Sequence, residues 1–126
     1  MKQVIHTDKA PKAIGPYVQG WKAGNMIFTS GQLGIDVEKV TLAETVVEQA
    51  HCSMKNVGEI LKAVGADYSD IIKATIFVKD LADFKAVNEV YASYFTGDYP
   101  ARSCVQVAAL PMGGLVEIEV VAVVGE

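Results

Sequence analysis

Long apolar stretches and cysteine pairs are scarce in this sequence. The most apolar segment, residues 116–124, is interrupted by Glu117 and Glu119 and is far shorter than the roughly 18 apolar residues that a membrane-spanning helix needs. The first residues contain no apolar signal-peptide core, and the two cysteines, Cys52 and Cys104, are too few for a disulfide framework. We therefore expect a cytoplasmic protein with no membrane partner.

Positive charge is also scarce. Eleven lysines and arginines stand against 15 aspartates and glutamates, which gives a formal net charge of −4 and an isoelectric point near 5.1. No two basic residues are adjacent, so the sequence has no basic stripe of the kind that binds nucleic acid. The charge pattern argues against a nucleic-acid partner, and it singles out the only arginine, Arg102.

Histidine and cysteine are too few and too scattered to predict a metal site. The four candidate ligands, His6, His51, Cys52 and Cys104, have neither C-x-x-C nor H-x-x-x-H spacing. Two histidines also argue against a Ser-His-acid triad, and Ser30 lacks the glycine two residues earlier that a nucleophile elbow requires. We expect no metal.

The chain is rich in hydrophobic residues. Of its 126 residues, 51% are hydrophobic and 21% are charged, which is typical of a globular domain. No repeat, low-complexity tract or linker divides the chain. We therefore predict one domain over residues 1–126.

Segments rich in β-branched residues predict six strands. In chain order these are residues 4–5, 17–22, 26–30, 71–79, 102–109 and 116–124. The second and third strands form a hairpin, and residues 7–16 and 31–40 are expected to be loops.

Two amphipathic segments predict helices. The first is expected to begin at Thr41, where Glu44 would complete a capping box, and Gly65 suits its C-terminal cap. The second is expected to follow Asp80 as its N-cap and to end before Gly97. The predicted class is α+β, with a six-stranded sheet and two helices on one face.

The last predicted strand carries apolar side chains on both faces. Val116, Ile118 and Val120 point one way, and Val121 and Val123 point the other. Residues 71–79 are likewise apolar on both faces, and such strands need cover on both sides. Because two helices cover only one face, we expect a homo-oligomer.

Arg102 and two glutamates have the clearest chemical potential. The guanidinium of Arg102 presents a rigid fork of donors that matches a carboxylate; a structural salt bridge is the alternative reading. Glu117 and Glu119 share one strand face, with Cα atoms about 6.6 Å apart from the strand rise; solvated or lysine-paired glutamates are the alternative. We expect Arg102 and Glu117 to face one pocket, where an anchor and a proton acceptor would suit hydrolysis of a small acid.

Two further side chains, Ser30 and Cys104, each have a chemical and a structural interpretation. Ser30, at the end of a predicted strand, either satisfies a turn or hydrogen-bonds a substrate. Cys104 lies two residues after Arg102 on the same strand face, where a guanidinium favours the thiolate. A buried cysteine is more often an inert apolar residue.

Five short motifs, in order along nearly the whole chain, resemble the RidA (YjgF-like) family of imine deaminases. They are Gly15-Pro16-Tyr17, Ser30-Gly31-Gln32, Val87-Asn88 followed by Tyr91, Pro100-Ala101-Arg102-Ser103 and Glu117-Ile118-Glu119. The resemblance implies a fold like that of trimeric chorismate mutase, with sheets packed around a threefold axis and active sites between subunits. It also implies hydrolysis of 2-iminobutanoate and 2-iminopropanoate to 2-oxo acids and ammonia, without metal or cofactor. Dehydratases that use pyridoxal phosphate release these compounds.

The resemblance also implies a role for each matching residue. Arg102 would hold the substrate carboxylate, and Glu117 would position and activate the attacking water. Tyr17 and Ser30 would contribute hydroxyls to the pocket. These roles need only orient a carbon that is already electrophilic.

The remaining matching residues would shape the pocket. Gly31 would permit a close backbone approach, Asn88 would support the site, and Cys104 would line it chiefly through its backbone. Residues 33–40 depart from the family pattern, because they contain no proline and their one glycine comes early. We expect this segment to form the rim of the cleft and to affect substrate preference.

Three other functions stay open at this point. A non-catalytic module could bind carboxylates through Arg102 with no kinetic role for Glu117. RNA cleavage or translation inhibition is disfavoured by the acidic isoelectric point. A chorismate mutase activity would rest on fold analogy alone, and a single arginine per chain provides few donors for binding a dicarboxylate.

Overall fold

A computed structural model of the chain describes residues 1–125. Its strands are β1 (Lys2–Ile5), β2 (Gly20–Ala23), β3 (Met26–Thr29), β4 (Gln32–Leu33), β5 (Ile35–Asp36), β6 (Thr41–Leu42), β7 (Ile71–Val78), β8 (Ala101–Gln106) and β9 (Val116–Val123). Its helices are α1 (Val46–Lys62) and α2 (Phe84–Ala92), with short 3₁₀ turns at Tyr68–Asp70, Leu81–Asp83 and Pro111–Gly113.

The main sheet has the strand order β1-β2-β3-β9-β7-β8, and β4 pairs with β9 beyond the end of β3. Neighbouring strands are antiparallel except β7 and β8, which are parallel and are therefore joined by a crossover that contains α2. The six strands along this path are the six predicted ones. The predicted α+β class, with two helices packed on a mixed sheet, is confirmed.

The core lies between the helices and one face of the sheet. Side chains from α1, such as Met54, Val57 and Leu61, are fully buried. Alternate residues of the two central strands are buried against them, namely Ala74, Ile76 and Val78 of β7 and Val116, Ile118, Val120 and Ala122 of β9. Within residues 1–125, no helix combines the length and apolar character that crossing a membrane demands.

The predicted start of the first helix is wrong by one turn. Thr41 lies in β6 and pairs with Asp36 of β5. The helix is capped instead by Thr45, whose Oγ1 accepts from Glu48 N at 3.1 Å while Thr45 N donates to Glu48 Oε1 at 3.2 Å. Both Thr41 and Thr45 precede a glutamate by three residues, so spacing alone does not separate them. The β5–β6 hairpin determines that Thr45 caps the helix, because Ala43 N donates to Gly34 O at 2.9 Å and holds the segment around Thr41 extended.

Other boundaries differ by smaller amounts. Asp80 caps the 3₁₀ turn at Leu81–Asp83 by accepting from Ala82 N at 2.9 Å, and α2 begins only at Phe84. The predicted loop over residues 31–40 contains β4 and β5. Gly65 adopts the left-handed conformation expected after α1, with φ of 79°.

The sheet face opposite the helices, which we call the open face, carries exposed apolar side chains. Strand register places Val4, Trp21 and Phe28 side by side on it, and Val105 lies on it beside Phe77. The first three side chains and Val105 are exposed. On the central strands, Phe77 of β7 and Val121 of β9 lie on the same face and are half-buried. The apolar character predicted for both faces of these strands is therefore present, and the second face is partly exposed in a single chain.

Candidate active site

A cleft of about 1100 Å³ lies beside β4 and the start of β9. Among the predicted site residues, Tyr17, Ser30, Gly31 and Glu117 line it, and Glu119 joins them. These residues come from three separated parts of the chain. The sheet brings them together because β4 pairs with β9, so that Leu33 lies opposite Glu117.

Glu117 is a half-buried carboxylate that faces this cleft. Burial raises the pKa of Glu117 above its ordinary value, and the negative charge of Glu119 raises it further. The ion pairs found among residues 1–125 are His6 with Asp8 and Lys62 with Glu59, so no lysine pairs with either cleft glutamate in the described chain. A carboxylate with a raised pKa is suited to accept a proton near neutral pH.

Gly31 packs directly against the side chain of Glu117. A Cβ atom added to Gly31 would lie 2.8 Å from Glu117 Cδ and 3.0 Å from its Cγ. Those separations are shorter than van der Waals contact allows. The close backbone approach expected at Gly31 is therefore an approach of its backbone to the Glu117 side chain. Because Gly31 has no side chain, the Glu117 carboxylate can occupy this position.

Ser30 hydrogen-bonds to the segment that leads into β2 and not to a local turn. Its Oγ donates to Val18 O at 2.6 Å, and its backbone N donates to Gln19 O at 2.9 Å. Since the hydroxyl proton is committed, the lone pairs of Oγ can only accept hydrogen bonds from a ligand in the cleft.

The Tyr17 side chain is 48% exposed at the cleft. Its backbone N donates to Gly15 O at 2.8 Å, which turns the chain at Gly15-Pro16 and directs the residue toward the cleft. A Cβ atom added to Gly15 would meet the tyrosine ring at 3.6 Å, an ordinary van der Waals contact. Tyr17 thus adds a phenol hydroxyl to the cleft that Glu117 lines.

Arg102 lies on the opposite face of the sheet from Glu117. In the parallel pair of β7 and β8, Arg102 lies opposite Ala74, whose side chain is buried against the helices. In the antiparallel pair of β7 and β9, Glu117 lies opposite Phe77, whose side chain points to the open face. The expectation that Arg102 and Glu117 face one pocket does not hold within a single chain. The reason is the register of β8 on β7, which no local pattern encodes.

Arg102 is instead held by side chains of α2. A guanidinium nitrogen donates to Asn88 Oδ1, and the guanidinium carbon lies 5.3 Å from the Phe84 ring centroid and 5.5 Å from that of Tyr91. No carboxylate among residues 1–125 pairs with it, so the salt-bridge reading is not met in the described chain. A fixed guanidinium with free donors remains available to a carboxylate from outside the chain.

Phe84 belongs to this site and was not predicted from the sequence. Phe84, Asn88 and Tyr91 follow one another at steps of four and three, which places them on one face of a helix. Because Asn88 was already a predicted site residue, this spacing could have indicated that Phe84 lies beside it. The two rings stabilise a cation above their faces and hold the fork of Arg102 in place.

Cys104 lies beside Arg102 on the helix-facing side of β8, level with Ile76. Burial raises the pKa of the Cys104 thiol, and Arg102 opposes this with a smaller lowering effect. The thiol is therefore protonated at neutral pH, which disfavours a nucleophilic role. Both cysteines are free, and among residues 1–125 no three side chains of His, Cys, Asp or Glu converge as metal ligands would.

Fold and geometry together define a small α+β protein with a carboxylate-lined cleft on one sheet face and a guanidinium site on the other. A family model described as Endoribonuclease L-PSP matches residues 7–124. A goat (Capra hircus) protein named 2-iminobutanoate/2-iminopropanoate deaminase is 50% identical over 99% of this chain and 92% of its own length. The protein of the same name from Salmonella typhimurium is 49% identical over 98% of each chain.

Solved structures agree with these sequence relatives. The crystal structure of RidA from an Antarctic Psychrobacter is 45% identical, covers 97% of this chain and 99% of its own, and superposes with a TM-score of 0.94. The structure of Escherichia coli TdcF with bound serine is 47% identical over 98% and 99% of the two chains, with a TM-score of 0.95. The chain belongs to the RidA family. It spans only 65% of the length of its chloroplast relative from Arabidopsis thaliana, which is 54% identical.

Proposed function

We propose that this protein is an imine deaminase that needs no cofactor and acts on short 2-imino acids such as 2-iminobutanoate and 2-iminopropanoate. The observation that carries the proposal is the half-buried Glu117, with its raised pKa, facing a cleft beside hydroxyl groups. Relatives about half identical over nearly the whole chain carry the name of this activity. The hydroxyls are those of Tyr17 and Ser30.

The site is completed between subunits of a homotrimer. Arg102 lies on β8, an edge strand whose only neighbour within residues 1–125 is β7, so a second chain can approach it. The open face carries exposed apolar side chains that require cover. Packing three open faces together, with the β8 edge of one subunit against the Glu117 cleft of the next, would bring Arg102 to that cleft. Three chains of 13.5 kDa would give a particle of about 40 kDa by light scattering.

The reaction needs one anchored substrate and one activated water. The guanidinium of Arg102 would bind the carboxylate of the imino acid and orient its C=N carbon toward Glu117. Glu117 would accept a proton from water as the oxygen bonds to that carbon and the C=N π electrons move to nitrogen. When the imine enters protonated, the product of this addition is a neutral carbinolamine, which would take the proton back on nitrogen from Glu117. The C–N bond would then break and expel ammonia, while the hydroxyl group gives its proton to the Glu117 carboxylate and the C=O bond of the 2-oxo acid forms. Ser30, as an acceptor, would bind an N–H of the substrate.

The substrates would come from dehydratases that use pyridoxal phosphate, because those enzymes release enamines that tautomerise to 2-imino acids. Such compounds react with water and with other nucleophiles, so a deaminase must meet them close to where they form. We place the protein in the cytoplasm with these enzymes. No nucleic acid or membrane takes part in the proposed reaction.

A carboxylate-binding module on the same scaffold is the second candidate. It is favoured by the relative whose structure holds bound serine, since an amino acid supplies the same carboxylate without undergoing hydrolysis. In such a module Arg102 would act alone and Glu117 would have no kinetic role. RNA cleavage, which the family description names, would require the acidic cleft with Glu117 and Glu119 to accept a polyanion.

A coupled assay separates these functions. A threonine dehydratase generates 2-iminobutanoate, and semicarbazide captures the imine in competition with the added protein. We expect the protein to reduce semicarbazone formation in proportion to its concentration while ammonia release accelerates. A binding module would protect or sequester the imine without releasing ammonia, and an RNA-binding protein would bind RNA in a salt-dependent manner.

Mixed trimers test the intersubunit site. Arg102→Ala and Glu117→Gln each remove one half of the site, and both variants are expected to be inactive alone. When the two are unfolded, mixed and refolded together, about a quarter of the sites would combine an intact Arg102 with an intact Glu117 in a randomly assembled symmetric oligomer. Recovered activity supports sharing between subunits, whereas no recovery in a correctly assembled mixture would place the whole site in one chain.

A further inference from the structure

One wall of the Glu117 cleft is an irregular loop, residues 7–16, in the connection between β1 and β2. Its cleft-lining residues are Asp8, Ala10, Pro11, Lys12 and Ile14. None of residues 7–16 belongs to a strand or helix, and Ala10 is the only one of them that is buried. Irregular segments with so little burial are usually mobile, so this wall needs hydrogen bonds from elsewhere to be fixed before a substrate arrives.

The side chain of Gln19 supplies those hydrogen bonds. Its Oε1 accepts from Thr7 N at 2.7 Å. Its Nε2 donates to Thr7 O at 3.0 Å and to Pro11 O at 2.9 Å, with Ala10 O further away at 3.4 Å. A carboxamide has an acceptor oxygen and two donor hydrogens, so the loop engages both ends of the group. No other uncharged side chain of this size offers that combination.

Gln19 is 3% exposed and does not itself line the cleft. Apart from the exposed ion pair of His6 with Asp8, its side chain makes every hydrogen bond and ion pair that ties residues 7–11 to the rest of residues 1–125. All of these contacts lie inside one chain. A neighbouring subunit that packs against the cleft would bury them further and would not replace them.

The backbone beside this side chain is joined to two of the predicted site residues. Tyr17 precedes Gln19 by two positions, and Gln19 O accepts from Ser30 N at 2.9 Å. Glu117 is held separately, through its packing on Gly31. Gln19 therefore connects the loop wall to Tyr17 and Ser30 without touching the carboxylate that would activate water.

We infer that Gln19 is a positioning residue of the deaminase site, whose carboxamide holds residues 7–16 as a preformed wall against which the substrate binds. The inference rests on the proposed function and deepens it. A wall that contacts the substrate equally in the ground state and the transition state changes KM and leaves kcat unchanged. Loss of the Gln19 hydrogen bonds should therefore weaken binding, while Glu117 remains able to activate water.

Gln19→Met is the main test, because methionine is similar in length and shape and cannot donate these hydrogen bonds. In the dehydratase-coupled assay we expect KM for 2-iminobutanoate to rise about 10-fold, the scale of one lost hydrogen-bonded contact. The kcat should stay within about twofold of the wild type. The Kd of unreactive 2-oxobutanoate should rise by the same factor as KM.

Tyr68→Phe is the matched control. It removes one side-chain hydrogen bond to the backbone, from the Tyr68 hydroxyl to Met54 O at 2.8 Å, on the helix side of the sheet. Tyr68 does not line the cleft. This variant should lower the melting temperature and leave both KM and kcat unchanged, which separates a general loss of stability from a loss of the wall.

Hydrogen exchange on the ligand-free wild type tests the same inference without a variant. The Thr7 amide, which donates to Gln19 Oε1, should be protected before any ligand is added, and free exchange there would overturn the inference. If Gln19→Met does not fold, Gln19→Glu keeps the acceptor for Thr7 N and loses the amide donors. The same rise in KM is expected for that variant.

Other results would also overturn the inference. An unchanged KM in a folded variant would show that the wall does not need Gln19, and a fall in kcat at unchanged KM would place Gln19 in the chemical step. Dissociation of the variant trimer in light scattering would show that the loop holds subunits together instead. If the wild type releases no ammonia yet binds 2-oxobutanoate, the proposed function fails and the Kd of the variant alone decides on Gln19. If it does neither, both proposals fail.

Discussion

Gly31 offers a test of Glu117 that leaves the glutamate itself in place. In Gly31→Ala the new Cβ would start 2.8 Å from Glu117 Cδ, and ordinary contact begins at 3.4 Å, so the carboxyl group must move by at least 0.6 Å. The backbone at Gly31 does not have positive φ, so alanine fits it without strain. The substitution therefore displaces one side chain and little else.

The expected loss follows from this displacement. Misplacing a reacting group by 1 Å can cost about 100-fold in rate, so we expect kcat/KM in the dehydratase-coupled assay to fall about 10- to 100-fold. Stability should change little. Restricting the unfolded chain contributes about 0.4–1 kcal/mol in favour of alanine, and pushing Glu117 away from its preferred rotamer costs about 0.5–1.5 kcal/mol. The melting temperature is expected to stay within a few degrees of the wild type.

Two other glycines provide controls. Gly97 has open space where a Cβ atom would lie and no positive φ, so Gly97→Ala should leave activity unchanged and raise stability by about 0.4–1 kcal/mol through restriction of the unfolded chain. At Gly34 a Cβ would overlap the backbone of Gln49 in α1, which cannot move away, so Gly34→Ala should lower stability sharply. Wild-type activity in folded Gly31→Ala would refute the claim that the position of the Glu117 carboxylate sets the rate.

Three further substitutions test the proposed site. Arg102→Lys keeps the charge and loses the bidentate fork, so kcat/KM should fall about 10- to 150-fold through loss of about 1.5–3 kcal/mol; near-normal activity in a folded trimer would make Arg102 structural. Glu117→Gln should lower turnover about 10²- to 10⁴-fold while binding of unreactive 2-oxobutanoate survives, and an unchanged rate would remove the water-activating role. Because the pKa of Glu117 is raised in the folded chain, its ionisation opposes folding above that pKa, so Glu117→Gln should raise the melting temperature at pH 8 and not at pH 3. Glu119→Gln removes the smaller of the two causes of that raised pKa, so the acid limb of the kcat/KM profile should move to lower pH; a shift to higher pH would contradict the assignment.

Much of the fold was predictable because its signals are local. Alternation and β-branched residues in residues 71–79 and 116–124 identified the central strands, and steps of three and four identified α1. Residue type alone pointed to Arg102, since a guanidinium differs chemically from the ten lysines around it. The start of α1 was misplaced because two Thr-x-x-Glu sequences follow each other, and only the β5–β6 hairpin distinguishes them.

The sequence by itself determined the elements, the apolar character of both faces of the central strands and the residues capable of the chemistry. Tertiary structure decided which of those residues meet. The register of β8 on β7 places Arg102 on the helix side, and the register of β9 on β7 places Glu117 on the open face, because a side chain's face depends on the parity of pairing between strands distant in the chain. The packing of Gly31 on Glu117 and the convergence of Tyr17, Ser30 and Glu117 on one cleft likewise join separate segments. Their physical origin is the three-dimensional pairing of β4 with β9 and the loops around it, which no periodicity along the chain encodes.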